Sequence, residues 1–252
     1  MAPVYIVTGA SRGLGYRIAE KLLSAPTAGK VLAVARTEAG LQKLAAAFPG
    51  QVEYVTGDLA DPATSELAVK TCVDKFGAID GVVFNAAVIA PVAKIADVDM
   101  AALKRIYDIN YFASVAALKV ATPYLRASKG RVVFISSIAS GVAHYFGWHG
   151  YGGSKACVDH LAATYAVEEP DVLSVSIDPG VMDTNMQAEI RTEHGTKMKA
   201  DHIEYLMRVK EDASIASTEG PATVVYNMVT RGTSEFSGKY LVFDDAALAA
   251  YQ

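Results

Sequence analysis

Cysteine is scarce. Cys72 and Cys157 are the two in 252 residues, far apart and without a Cys-x-x-Cys spacing. Neither a disulfide framework nor a cysteine zinc cluster is expected. Positive charge is in short supply too, with 23 Lys+Arg against 27 Asp+Glu and a formal net charge of −4. An extended basic surface for nucleic acid or anionic lipid is therefore not expected. Long apolar runs are missing, although apolar residues make up 52% of the chain. The richest stretch, residues 81–93, is interrupted by Asn85 and Pro91. It falls short of the roughly 18 apolar residues that a spanning helix needs. The start, Met1-Ala-Pro-Val-Tyr5, has neither the positive charge nor the cleavage site of a secretory signal. A soluble, cytoplasmic chain is expected, and its apolar excess reads as strands covered by helices on both faces.

What the chain does have is alternation. Short β-rich runs (Val4–Thr8, Lys30–Val34, Glu53–Thr56, Gly81–Phe84, Arg131–Ile135, Val172–Ile177, Gly238–Phe243) are separated by segments of helical period. Those segments cover Leu14–Leu23, Gly40–Phe48, Asp61–Phe76, one long helix Asp99–Ala127, and Tyr151–Glu168. Strand, helix, strand, repeated, predicts right-handed crossovers and a doubly wound parallel sheet of the Rossmann type in a single domain, residues 1–252. The polar, charged stretch at about 187–217 follows the sixth strand. It reads either as a lid over the sheet's carboxyl edge or as a solvated helical face.

Three glycines stand at the first strand-to-helix turn, Thr8-Gly9-Ala10-Ser11-Arg12-Gly13-Leu14-Gly15. Such a turn lets the backbone approach a pyrophosphate, with the helix N-terminus behind it to hold the anion. A dinucleotide is the expected ligand. The second strand ends without the acidic residue that would bind a ribose 2′-OH, and Arg36 arrives instead. Together Arg12 and Arg36 favour a 2′-phosphate, hence NADP(H) over NAD. The alternative is that Arg36 is a solvated residue at a strand end.

Tyr151 and Lys155 are four apart, so a helix puts them on one face, and a cation near a phenol lowers its pKa toward the working range. Ser136-Ser137 follow the fifth strand, at the crevice where open α/β sheets bind ligands. Asp178-Pro-Gly-Val-Met-Asp-Thr184 turns at the same edge.

This combination resembles the short-chain dehydrogenase/reductase family over essentially the whole chain. The resemblance rests on the Gly9–Gly15 turn, Asp58, Asn85-Ala86, Asn110, Ser137, Tyr151/Lys155, and Pro179-Gly180 with Thr184. It implies hydride transfer between a nicotinamide and a carbonyl or alcohol. Tyr151 would be the acid, Ser137 would orient the carbonyl, Lys155 would hold the ribose, and Asn110 would anchor a proton-relay water. Asp58 and Leu59 would meet the adenine, Asn85 and Ala86 would line the cofactor, and Val181 with Thr184 would fix its carboxamide. Two departures stand out. The family's Asn-Asn-Ala-Gly reads Phe84-Asn85-Ala86-Ala87, and the Ser-to-Tyr spacing is one residue long, which leaves Ser136 as an alternative to Ser137.

A finer resemblance points to the sepiapterin reductase and benzil reductase group, through Tyr145-Phe-Gly-Trp148-His-Gly-Tyr151 and Pro179–Gln187. It implies an NADPH-dependent reductase of ketones or dicarbonyls. Asp244 or Asp245 would then anchor a pterin, or else both are surface charges. Tyr145 and Trp148 would wall an aromatic pocket or merely pack the loop. Met182 and Met186 read as pocket wall or core. His144 and His149 lack metal-ligand spacing, and no metal is expected. The helices at Asp99–Ala127 and Tyr151–Glu168 predict a homodimer, with a homotetramer as the other assembly. The competing reading of function is a catalytically silent NADP(H) sensor that binds a partner protein. Intact Ser137, Tyr151 and Lys155 argue for the enzyme.

Overall fold

The computed structural model describes residues 2–24, 28–142, 145–211 and 217–252. His144 and the 212–216 part of the expected lid lie outside them. Seven strands form one sheet, all parallel, in the order β3-β2-β1-β4-β5-β6-β7. They are β1 (Val4–Thr8), β2 (Lys30–Ala35), β3 (Val52–Thr56), β4 (Gly81–Phe84), β5 (Arg131–Ile135), β6 (Leu173–Asp178) and β7 (Tyr240–Val242). The order reverses between β1 and β4, and the crevice beyond the strand ends at such a reversal is where open sheets take ligands.

Local chemistry explains the crossovers. Helix α1 (Gly13–Ser24) follows the glycine turn, and α2 (Glu38–Ala47) follows β2. Helix α3 (Pro62–Phe76) has Asp61 as its cap, accepting from the Ala63 N–H at 3.0 Å, with a proline at its start and left-handed Gly77 at its end. The expected long helix is real but divided. Helix α4 (Met100–Tyr107) passes through a π-turn at Asp108–Phe112 into α5 (Ala113–Ser128). Helix α6 (His149–Glu168) carries Tyr151 and Lys155 in its first two turns.

Each face of the sheet has its own core. One packs Ile18 of α1, Leu41 and Leu44 of α2, and Val83 and Val175 of the sheet. The other packs Val69 of α3, Leu125 of α5, Val158 of α6, and Phe134 of β5. All seven strands were anticipated, with β6 running one residue later than expected and β7 shorter than Gly238–Phe243. One helix was not: α9 (Glu219–Arg231), whose Val224, Val225, Met228 and Val229 are buried against the sheet. Pro221 lies in its first turn, where a missing N–H costs no helical hydrogen bond. The polar stretch after β6 forms α7 (Asn185–Glu189), short turns through Lys197, and α8 (Ala200–Glu211).

Phe134 is fully buried and stacks on Phe84 at a centroid distance of 5.1 Å. Truncating such a ring removes transfer free energy and leaves a cavity. Phe134→Ala is expected to destabilise the protein by about 3–5 kcal/mol, measured by urea unfolding at pH 7.

Candidate active site

The carboxyl edge of the sheet opens into a cleft of about 440 Å³. It receives the glycine turn, the ends of β2, β4, β5 and β6, the first turns of α6, and residues from α7 and α8.

Thr8 and Asn85 build its floor. Thr8 Oγ1 accepts from the backbone N–H of Asn85 (3.0 Å) and of Ala86 (3.1 Å). Asn85 Nδ2 donates to the carbonyls of Thr8 (2.9 Å) and Gly9 (3.3 Å), so its amide braces the glycine turn rather than standing free. Two glycines are obligatory here. Gly9 has φ +68°, and a Cβ on Gly15 would sit 2.5 Å from the Gly9 carbonyl oxygen and 2.4 Å from Asn85 Nδ2. Gly15 therefore packs beneath the turn, while Gly9, Ser11, Gly13 and Leu14 line the cleft. The first turn of α1 carries no acidic residue, which leaves its positive dipole end available to an anion. Ala87, which stands where the family pattern has glycine, is not among the residues of positive φ, so its methyl brings no backbone strain.

Arg12 and Arg36 are both exposed on this cleft, and among the described residues neither is in an ion pair. Asp58 and Leu59 line the same end. Asp58 accepts from the Ala60 N–H at 3.0 Å and pairs with Arg105 of α4. These bonds, aided by the Arg36 charge, hold its carboxyl below the usual range. A glycine cradle, a free helix N-terminus and two unpaired guanidinium groups fit a phosphorylated dinucleotide.

Tyr151 and Lys155 lie deeper, 7% and 3% exposed. Lys155 Nζ donates to the Ile135 carbonyl at 2.6 Å and stands 5.8 Å from the Tyr151 ring centroid. Burial lowers the ammonium to about 8, against the opposing pull of Asp159 and Asp178. The expected lowering of Tyr151 is reversed. Burial raises its phenol to about 12, Ser137 opposes this, and Asp178 adds to it. Lys155 is turned to Ile135, so desolvation wins. Ser137, not Ser136, is the hydroxyl that bears on Tyr151; Ser136 is buried and its Oγ has no partner.

Asn110 sits in the π-turn and is buried. Its Oδ1 accepts from the Val88 N–H (2.9 Å), and its Nδ2 donates to Val88 O and Ser154 Oγ (3.0 Å each). Ser154 in turn donates to Tyr151 O at 2.7 Å. The side chain is thus held by protein partners on both sides and braces α6.

Pro179, Gly180, Val181 and Thr184 line the cleft beside Tyr151. Tyr145, Trp148 and Met186 do so as well, with Tyr145 stacked on Trp148 at 4.4 Å and Trp148 edge-on to Tyr151 at 5.7 Å. Asp245 does not. Its carboxylate accepts from the Ala247 N–H at 2.8 Å and caps the closing turn, and Asp244 is exposed outside the cleft. The pterin anchor is therefore set aside. His149 lines no part of the cleft. Three metal-capable side chains, Glu189, Glu193 and His194, group at the end of α7, also off the cleft, where His194 lies 3.3 Å from Glu189. Sequence reasoning missed Asp178 as a lining residue, and Ile190, Tyr205 and Leu206 of the stretch after β6. Apolar residues recurring in that otherwise polar stretch were the available signal.

Compared with known proteins, residues 3–195 match the sequence family described as short chain dehydrogenase. An uncharacterized oxidoreductase of Saccharomyces cerevisiae is 37% identical over 253 residues, covering 100% of this chain and 99% of that one. A protein of the same yeast named benzil reductase ((S)-benzoin forming) is 35% identical over 263 residues, covering 100% of both. A crystal structure of a short-chain dehydrogenase/reductase from Saccharomyces cerevisiae superposes with a TM-score of 0.96 at 36% identity, covering 100% of both chains.

A buried ammonium without an ion pair destabilises the fold. That penalty is complete below about pH 8, shrinks as pH rises toward the ordinary lysine value of 10.5, and is absent above it. Lys155→Met is expected to raise stability by about 1–3 kcal/mol at pH 7, less the hydrogen bond to Ile135. The gain should fade between pH 8 and 10.5, as read by urea unfolding across that range.

Proposed function

The chain belongs to the short-chain dehydrogenase family, and from that premise we propose that it is an NADPH-dependent carbonyl reductase acting on ketones and vicinal dicarbonyls. The observation that carries this reading is the buried pair of Tyr151, protonated through neutral pH, and Lys155, in a cleft whose other end presents Arg12 and Arg36.

The cofactor, when bound, supplies the hydride. The glycine turn and the N-terminus of α1 would hold its pyrophosphate, Arg12 and Arg36 its 2′-phosphate, and Asp58 and Leu59 would flank the adenine. Asn85 and Ala86 would back the ribose, and Pro179–Val181 with Thr184 would face the carboxamide. On the substrate side, hydride arriving at a carbonyl carbon leaves negative charge on its oxygen. Tyr151 gives that oxygen a proton, Ser137 holds it by a hydrogen bond, and the product is the alcohol. A phenol that keeps its proton at pH 7 is in the form that acts as an acid. Asn110 acts at one remove, by fixing the first turns of α6.

Substrate class follows from the walls. Tyr145, Trp148, Met186, Ile190 and Leu206 make an apolar, aromatic chamber beside Tyr151, suited to flat aromatic ketones. The yeast relative named for benzil reduction supports the same class. The segment from Gln187 through α8 serves as the lid. Exposed Phe112 of the π-turn, Tyr124 of α5 and Val167 of α6 support a homodimer.

The test is NADPH oxidation against benzil, a simple aromatic ketone, an aldehyde and sepiapterin, with NADH and Tyr151→Phe alongside. Turnover is expected with NADPH, falling about 10²–10⁴-fold in Tyr151→Phe. Arg36→Ala should raise KM for NADPH about tenfold or more and leave KM for NADH unchanged. NADPH binding without turnover on any of the four would contradict the reductase reading and favour the sensor.

A further inference from the structure

Two phenols of the cleft flank one indole. Trp148 is edge-on to Tyr151 at a centroid distance of 5.7 Å, and Tyr145 stacks on Trp148 at 4.4 Å. All three rings line the cleft. Tyr145 is also gripped from α8, where His202 lies edge-on to it at 5.6 Å and accepts from the Phe146 N–H at 3.3 Å through Nδ1. A phenol oxygen lies on the axis of its ring, so a ring held on two sides has a fixed hydroxyl. Among the described residues, hydrogen bonds occupy the hydroxyls of Tyr54, Tyr165 and Tyr240, but not that of Tyr145. Burial, with Tyr205 and Asp178 nearby, raises the Tyr145 phenol above its ordinary value, so it stays a donor at neutral pH.

The chamber around it offers few other donors. Val88, Ile89, Met186, Ile190 and Leu206 are apolar. Tyr205 and Asn185 line the cleft too, but Tyr205 is 40% exposed and Asn185 is exposed as well, and neither is clamped as Tyr145 is. A vicinal dicarbonyl carries two carbonyl oxygens on adjacent carbons. Tyr151 and Ser137 serve one of them. The other leaves water for an aromatic wall, and a carbonyl buried there without a donor is costly.

We propose that Tyr145 is the specificity-determining residue for vicinal dicarbonyls: while Tyr151 and Ser137 hold the carbonyl oxygen that is reduced, the Tyr145 hydroxyl donates to the neighbouring one. The inference rests on the reductase reading and deepens it. A monoketone of the same size gives the hydroxyl no acceptor and forfeits that bond, and a site built to hydrogen-bond a group discriminates against the analogue lacking it.

The experiment compares benzil with deoxybenzoin, which has the same two phenyl rings and one carbonyl oxygen fewer. Tyr145→Phe keeps the stack on Trp148 and removes the hydroxyl. The ratio of kcat/KM for benzil to that for deoxybenzoin, measured with NADPH, is expected to fall about tenfold in Tyr145→Phe and to hold in Tyr205→Phe. The intrinsic reactivities of the two ketones cancel when variant is compared with wild type. Trp148 is the one tryptophan of the chain, so its emission reports on this pocket. Its quenching by each compound with NADP+ bound gives the ratio of Kd values without turnover, and the same tenfold change is expected there. An unchanged ratio in Tyr145→Phe would overturn the proposal and leave the ring a wall. A fall in Tyr205→Phe instead would overturn it in favour of the phenol on α8. If wild type reduces neither compound, the reductase reading fails, and the Kd ratio still decides the role of Tyr145. If wild type binds neither, both readings fall. Should Tyr145→Phe not fold, Tyr145→Leu takes its place: its lost stacking weighs on both compounds, and the same fall in the ratio is expected.

Discussion

Removing Tyr151 and Lys155 from water is the constraint on which the rest of the site depends. Desolvation moves the two groups toward their neutral forms, the phenol up to about 12 and the ammonium down to about 8. At neutral pH the phenol is protonated folded or unfolded, so its shift is without cost, whereas the lowered ammonium opposes folding. The Ile135 carbonyl receives the ammonium at 2.6 Å, and Ser154 ties the Tyr151 backbone to Asn110 in the π-turn. The extra residue of that turn lets Asn110 bond Val88 on one side and α6 on the other. Stability spent here is recovered elsewhere, in two apolar cores that cover both faces of the sheet.

The parallel sheet does the placing. Because all seven strands run one way, their carboxyl ends meet at a single edge, and every crossover leaves its loop there. The turn after β1 forms the anion cradle, and the end of β2 supplies Arg36. Ser137 follows β5, and Asp178 closes β6. Chemistry drawn from positions 9 to 206 is thereby gathered into one cleft. The tight fit of Gly15 beneath Gly9 shows how little slack the cradle has.

Much of this was legible in the sequence because it is local. The glycine turn, β-branched strands and the Tyr151–Lys155 spacing each announce themselves within a few residues. What was not legible depends on tertiary context. The Tyr151 shift was expected downward from the nearby Lys155, but only the fold shows that Lys155 is turned to Ile135 and that burial dominates. Asp245 reads equally well as a ligand or a cap until Ala247 is seen donating to it. Helix α9 was not anticipated, although its apolar face is buried against the sheet. Asp178 looked like part of a turn, and its burial among tyrosines was invisible from Asp178-Pro179-Gly180 alone.

The most direct measurement is an NMR titration of protein carrying ¹³Cε-labelled lysine, with the Lys155 resonance identified by its loss in Lys155→Met. A desolvated, unpaired Lys155 predicts a midpoint near 8. A midpoint at the ordinary lysine value of 10.5, alongside the surface lysines, would contradict the buried pair at the centre of this account.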